Sequence, residues 1–191
     1  LDNYIEVVEN SDFFVFGSLV SRDIVSKETL LKLISHANFK VFDVNLRHPH
    51  YDYPLIDELM RQADFIKFNE EELHEISEHF GCQSNQLSDQ LAYMAEYAQS
   101  PYVCVTKGAD GAMLYHEGSY YNQNGFPVEV VDTVGSGDSF LATLLEGMLT
   151  NRNLKHTLKR ACAMGALVAG SAGANANISE ATLREYIEQF A

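Results

Sequence analysis

An α/β fold, a mainly parallel sheet with helices on both faces, is predicted by three features of this sequence. Apolar strands alternate with amphipathic helices from the start of the chain to Thr106, and short strands joined only by turns follow from Gly111. Later, the run Val130-Val131 enters a glycine-bearing turn that opens a helix. Parallel neighbours are joined by right-handed crossovers, so a strand–helix rhythm implies a parallel sheet covered by helices. Strands linked by turns alone read as an antiparallel extension of that sheet. With 191 residues, 46% of them hydrophobic and 21% charged, the chain suffices for one cored domain, residues 1–191, and is short for two.

The elements follow in order. A helix ending near Asn10 precedes a buried strand, Phe13 to Gly17. Ser26 is expected to cap a helix whose apolar positions Leu30, Leu31, Ile34 and Ala37 recur at helical spacing. Phe39 to Val44 is the next strand, a helix spans Leu55 to Ala63, and Asp64 to Phe68 is a third strand. Asn69 caps a helix burying Leu73, Ile76 and Phe80; a helix from Leu87 to Tyr97 leads to the strand Tyr102 to Thr106. Ala112 to Tyr115, Ser119 to Asn122 and Val128 to Val131 are the expected antiparallel strands. Three helices close the chain. The first carries Phe140, Leu141, Leu144, Leu145, Met148 and Leu149, and the second is a small-residue helix from Leu154 to Ser171. The third, Glu180 to Phe190, has Ser179 as cap and Leu183, Tyr186, Ile187 and Phe190 on one stripe. No internal repeat or linker interrupts the pattern. Because Leu1 falls inside a helical pattern, the chain is expected to be a piece of a larger domain.

Charge and cysteine usage exclude several classes. A net charge of −14 with no basic run argues against a nucleic-acid surface or an anionic membrane face. Cys82, Cys104 and Cys162 are too far apart in sequence to form a metal or redox motif and read as reduced thiols of a cytoplasmic protein. The most apolar early segment, Phe13 to Val20, is too short to cross a bilayer, and no signal peptide is recognisable.

Ligands of open α/β sheets collect beyond the carboxyl ends of the strands. Four polar clusters stand at such ends: Asp43 to Arg47, Asn69 to Glu72, Thr106 to Gly111, and Asp132 to Asp138. Each has an ordinary structural explanation. Asn69 with Glu72 is what a capping box looks like, Asp110-Gly111 is a hairpin signal, Asp43 and Arg47 can form a salt bridge within their loop, and the glycines before Asp138 can serve only a tight turn. Four such features in one order at strand ends are less readily explained separately. In the last cluster the amides of Gly135, Ser136 and Gly137 fall at a helix N-terminus, which favours an anion such as phosphate. A carboxylate there repels that anion. Asp138 is better explained if it takes a proton from a hydroxyl attacking the phosphorus.

These residues resemble a known family. Asp132-Thr133-Val134-Gly135-Ser136-Gly137-Asp138-Ser139-Phe140 looks like the C-terminal signature of the PfkB family of carbohydrate kinases, which have the three-layer ribokinase-like fold. Asn69-Glu70-Glu71-Glu72 resembles its Asn-x-x-Glu motif and Thr106-Lys107-Gly108-Ala109-Asp110-Gly111 its Thr-x-Gly-x-x-Gly segment. Gly17-Ser18, and Asp43-x-Asn45-x-Arg47 followed by an aromatic at Tyr51, are similar to the fructokinase and keto-deoxygluconate kinase branch. Thr143 departs from the small residue usual there, which puts close helix packing in question. Members also carry an upstream part with a Gly-Gly sugar motif, a small β lid and the first strands. The chain is therefore expected to be the C-terminal ATP-binding and catalytic portion of a larger domain.

What the resemblance implies is ATP-dependent phosphorylation of a sugar hydroxyl, fructokinase-like, with Asp138 as general base and Gly135, Ser136 and Gly137 as the amide pocket. Asn69 and Glu72 then organise Mg²⁺ through water. Thr106, Gly108, Gly111 and Thr133 line the nucleotide, and Cys162 and Met164 floor the adenine, although a packed helix of small residues accounts for that pair equally well. Asn45 and Arg47 are the acceptor-side residues, Arg47 reaching the sugar or a phosphate. Asp132 and Val134, with the segment near Gly173, can form a site for a monovalent cation such as K⁺. Homodimers are expected of the full-length enzyme. The isolated chain is expected to lack sugar turnover. Three other functions stay open at this point: a non-catalytic nucleotide-binding fragment, a kinase of the same fold acting on a nucleoside or vitamin, and a structural or partner-binding domain, because a truncated sheet exposes strand groups and apolar surface that seek a partner.

Overall fold

Among the described residues six strands form one sheet in the order β1 to β6: Phe14–Gly17, Lys40–Asp43, Phe65–Asn69, Tyr102–Thr106, Ala112–His116 and Ser119–Gln123. β1, β2 and β3 are parallel, with Gly17 opposite Asp43 and Asp43 opposite Lys67 at the end where the site residues stand. The computed structural model describes residues 2–47, 49–173 and 176–190. The chain divides into two compact units, Leu1–Val105 with Leu114–Tyr120, and Thr106–Met113 with Tyr121–Ala191.

In the first unit, helices α1 (Asp2–Glu9), α2 (Ile24–Ile34), α3 (Tyr53–Met60), α4 (Glu70–His79) and α5 (Leu87–Ala98) alternate with the strands. Phe42, Phe65, Ile66, Phe68, Leu73 and Ile76 are fully buried, so β2, β3 and α4 carry the centre of this core. Such strands, buried on both faces, read as near-continuous apolar runs, which is why they were recognisable. α2 differs from expectation at its start. Asp23 is its N-cap, accepting the amides of Val25 and Ser26 at 3.1 Å each, and Ser26 lies within the first turn. A carboxylate at the cap both accepts those donors and complements the positive end of the helix.

The second unit holds helices α6 (Ser136–Leu149), α7 (Leu154–Ala169) and α8 (Glu180–Glu188). The expected strand Val128 to Val131 is not formed. The amides of Val131 and Asp132 instead both donate to Ala169 O at the end of α7, at 2.9 and 3.1 Å, leaving Val130 and Val131 exposed. β-branched residues mark the segment as extended, but among the described residues no neighbouring strand pairs with it. Asp110-Gly111 falls in the short connection between the neighbouring strands β4 and β5, where Gly108–Asp110 is a 3-10 turn and Gly111 has φ of 90°; β5 and β6 are joined at Glu117-Gly118. Thr143 turns its hydroxyl back onto Ser139 O at 2.8 Å. The close approach of α6 to α7 lies one turn further on, where a Cβ on Gly147 would stand 2.4 Å from Thr157 Cγ2.

Candidate active site

The candidate residues fall into two sets, one in each unit. In the first unit the row Gly17, Asp43, Lys67 crosses the carboxyl ends of three strands. The alternative of an Asp43–Arg47 salt bridge is not realised; Asp43 Oδ1 accepts Lys67 Nζ at 2.8 Å, with the two side chains 14% and 8% exposed. Parallel register sets the two residues opposite one another, a relation that no local motif encodes. Breaking so buried a pair costs about 3–5 kcal/mol. Arg47 is exposed and donates from Nη1 to Leu46 O at 2.9 Å.

Asn69 and Glu72 do form a capping box at the start of α4: Asn69 Oδ1 accepts the Glu72 amide at 2.8 Å and Glu72 Oε2 the Asn69 amide at 2.9 Å. Glu72 goes further. Its Oε1 accepts the Leu46 amide at 2.9 Å, so one buried carboxylate joins the start of α4 to the loop bearing Asn45 and Arg47. Asn45 takes left-handed backbone angles, with φ of 46°, and its carbonyl accepts Ser18 Oγ at 3.2 Å. Each Glu72 oxygen carries one N–H bond and keeps acceptor capacity for the O–H of a metal-bound water. That donor set suits a hydrated Mg²⁺ held at second hand, because direct ligation would compete with the cap. We expect Glu72→Gln to weaken the magnesium response of the full-length enzyme. An unchanged magnesium titration with a lowered melting temperature would leave Glu72 a capping residue only.

In the second unit the turn before α6 gathers the catalytic candidates. Gly135, at φ of 80°, occupies the N-cap without a side chain to close the helix. Ser136 is committed on both sides: its amide donates to Thr133 O at 3.2 Å and its hydroxyl to Gly165 O at 2.9 Å. With the Ser136 amide so engaged, the first-turn N–H groups of Gly137 and Asp138 remain as donors that the helix cannot satisfy. Asp138 stands at the third helical position and is exposed. Glu72 occupies the same position of α4, and there the carboxylate is buried and bonded. Among the described residues no hydrogen bond or ion pair engages the Asp138 carboxylate.

The Ser136–Gly165 bond ties this turn to α7, the helix of Cys162 and Met164. Cys162 is buried, and burial pushes its thiol up to about 12 against the opposing charge of Lys107. It is thus a neutral apolar wall rather than a nucleophile. Thr106 to Gly111 closes on itself, the Lys107 amide donating to Gly111 O at 2.7 Å and Lys107 Nζ to Asn122 Oδ1 at 3.1 Å. Gly111 and Gly125 mark a main-chain crossing, where a Cβ on Gly125 would stand 1.8 Å from Ala109 O. At the Asp132 turn, Asp132 Oδ1 accepts the Val134 amide at 3.0 Å. Lys67 and Lys107 were not among the expected site residues: Lys67 is visible only through strand register, and Lys107 lay unmarked within the nucleotide segment.

The profile of the pfkB family carbohydrate kinases matches residues 2–181. The chain belongs to this family. Among pfkB relatives, a fructokinase of Escherichia coli is 34% identical over 158 residues, which are 76% of this chain and 50% of the relative. An ATP-dependent ribose-1-phosphate kinase of Halopiger xanaduensis is 33% identical over 133 residues, 70% of this chain and 40% of the relative. The chain thus spans about half the length of the curated relatives it matches. The crystal structure of a Vibrio cholerae fructokinase with fructose, ADP and calcium superposes with a TM-score of 0.80 at 25% identity, over 92% of this chain and 60% of that one. The ribokinase-like fold is common to them. Among the described residues no helix is long and apolar enough to cross a membrane.

Proposed function

We propose that this chain carries the nucleotide and catalytic part of an ATP-dependent kinase that phosphorylates a sugar hydroxyl, most closely in the manner of a fructokinase. One observation carries the reading: Asp138 holds an exposed, unengaged carboxylate in the same helical turn as unsatisfied main-chain N–H groups. Membership of a carbohydrate kinase family and resemblance to fructokinases support it.

In this mechanism Asp138 accepts the proton of the acceptor hydroxyl as its oxygen bonds to the γ-phosphorus of ATP and the bond to the ADP oxygen breaks. A carboxylate is too weak a base to ionise a free alcohol, but it can take the proton as bond formation acidifies the oxygen. Such placement is worth about 10² to 10⁴ in rate. The amides of Gly137 and Asp138, shaped by Gly135 and Ser136, stabilise charge on the transferring phosphoryl group, the larger share of catalysis in this class of reaction. Thr106, Gly108, Gly111 and Thr133 line the nucleotide, with Cys162 and Met164 beside the adenine. Asn45 and Arg47 recognise the sugar. Magnesium, when bound, neutralises phosphate charge; Asn69 and Glu72 orient its waters. Asp132 and Val134 are the residues we assign to a monovalent cation such as K⁺. Three free, buried cysteines accord with a cytoplasmic setting.

The test is a panel of acceptors offered to the full-length enzyme with ADP release as readout. Turnover with a ketose or aldose above that with nucleosides is expected. Preference for a nucleoside would move the assignment to the nucleoside branch, and no release with any acceptor would overturn the kinase reading.

A further inference from the structure

Helix α4 grips the loop of Asn45 and Arg47 at a second point, which none of the assignments above uses. Glu75, one turn after Glu72 and half-buried, accepts two phenols at a single oxygen: Tyr51 Oη donates to Oε1 at 2.5 Å and Tyr53 Oη at 3.1 Å. Tyr53, at the start of α3, is stacked on His79 of α4, with ring centroids 3.4 Å apart and planes 8° from parallel, and meets Phe80 edge-on. Residues three apart share a helix face. Glu72, bonded to the Leu46 amide, and Glu75, bonded to Tyr51 and Tyr53, therefore pin two points of one short segment with Arg47 between them. The His50 amide donates to Arg47 O at 2.7 Å and closes the turn between the anchors. Burial, and then the bond to Glu75, raises both phenols above the ordinary tyrosine value, so their O–H donors persist across the working pH range.

We infer that Glu75, acting through Tyr51 and Tyr53, is a positioning residue that sets the Asn45–Arg47 loop for its acceptor. The inference rests on the reading of Asn45 and Arg47 as acceptor-side residues. Asn45, a non-glycine residue at φ of 46°, keeps that conformation only while its flanks fix it. Ser18 and Glu72 fix the upstream side, at Asn45 O and the Leu46 amide. Glu75 fixes the downstream side. Arg47 is long and exposed, so its aim depends on the main chain that carries it.

The test compares Glu75→Leu, Glu75→Gln and the double variant Tyr51→Phe, Tyr53→Phe in the full-length enzyme. Losing an anchor weakens ground-state and transition-state binding of the acceptor alike, so KM for the sugar is expected to rise about tenfold with kcat and KM for ATP within about twofold. Glu75→Gln, which retains one acceptor oxygen, should fall between wild type and Glu75→Leu. Hydrogen exchange provides the second readout: amides of Leu46 to Tyr53 should exchange faster in Glu75→Leu and in the double tyrosine variant, which removes only two hydroxyls and keeps the apolar packing. Unchanged exchange in both would overturn the tether. Faster exchange with an unchanged sugar KM, or a parallel loss of kcat and ATP affinity, would overturn the positioning role. An absence of sugar turnover by the wild-type enzyme would sink the kinase reading and the acceptor part of this inference, and the exchange measurement would still decide the tether separately.

Discussion

Replacement of Asp138 by Ala in the full-length enzyme is expected to lower kcat by about 10² to 10⁴ while leaving ATP affinity within about twofold. The expectation comes from what the carboxylate does not do. It is exposed and, among the described residues, holds no structural bond, so its loss removes no packing and no cap. The only stabilising contribution forfeited is a first-turn acid at a helix N-terminus, about 0.3–1 kcal/mol. The melting temperature should therefore barely move. Asp138→Asn serves as the steric control: the amide keeps the shape and cannot take the proton, so it should fail nearly as badly as Ala. Steady-state kinetics with thermal denaturation of each variant checks both points. A decrease of less than tenfold in kcat would remove Asp138 as the base and leave the amides of the turn as a binding feature only.

Gly125→Ala should lower stability sharply. Its added methyl would fall 1.8 Å from Ala109 O and 2.7 Å from Ala109 C, against main chain that cannot swing aside as a side-chain tip can. Gly111, the opposite partner of this crossing, sits at φ of 90°, and a Cβ there would stand 2.1 Å from Gln123 O. One strand of chain must leave its place. Ala109 lies in the Thr106 to Gly111 turn, so on the role proposed for that turn weaker ATP binding is expected alongside the loss of stability. The cost should be about 3 kcal/mol, the upper range for overpacking, which lowers the melting temperature of a domain of this size by about 6–12 °C. Gly108→Ala is the internal comparison. Unlike Gly125 it lies at a left-handed φ, of 53°, but with open space around the Cβ, so only the smaller conformational cost of about 1–2 kcal/mol applies. Equal melting temperatures for the Gly125 and Gly108 variants would show that the crossing relaxes freely.

The contrast between Asn69–Glu72 and Val128 to Val131 shows how far sequence reading reaches. The first is a relation across three positions. Asn69 accepts from Glu72, Glu72 from Asn69, and both bonds follow once α4 starts where its apolar spacing says it starts. The second has the β-branched composition of a strand, yet strand formation needs a neighbour, and here the available acceptor is the carbonyl of Ala169. Composition reports a preference for extended backbone and says nothing about what the extended backbone will pair with.

What the sequence by itself determined is the alternation of strands and helices, the ends at which polar residues gather, and an acid placed in the first turn of α6. These depend on periodicities of two and 3.6 residues and on caps, which are local properties of the chain. Only the tertiary structure decided that Asp43 pairs with Lys67 rather than Arg47, that Glu72 and Glu75 reach across to the loop from Leu46 to Tyr53, and that Gly125 lies against Ala109. Each of these joins residues far apart in the chain whose meeting depends on strand register and on how segments cross. A one-residue change of register would bring a different side chain opposite Asp43 without altering any local pattern.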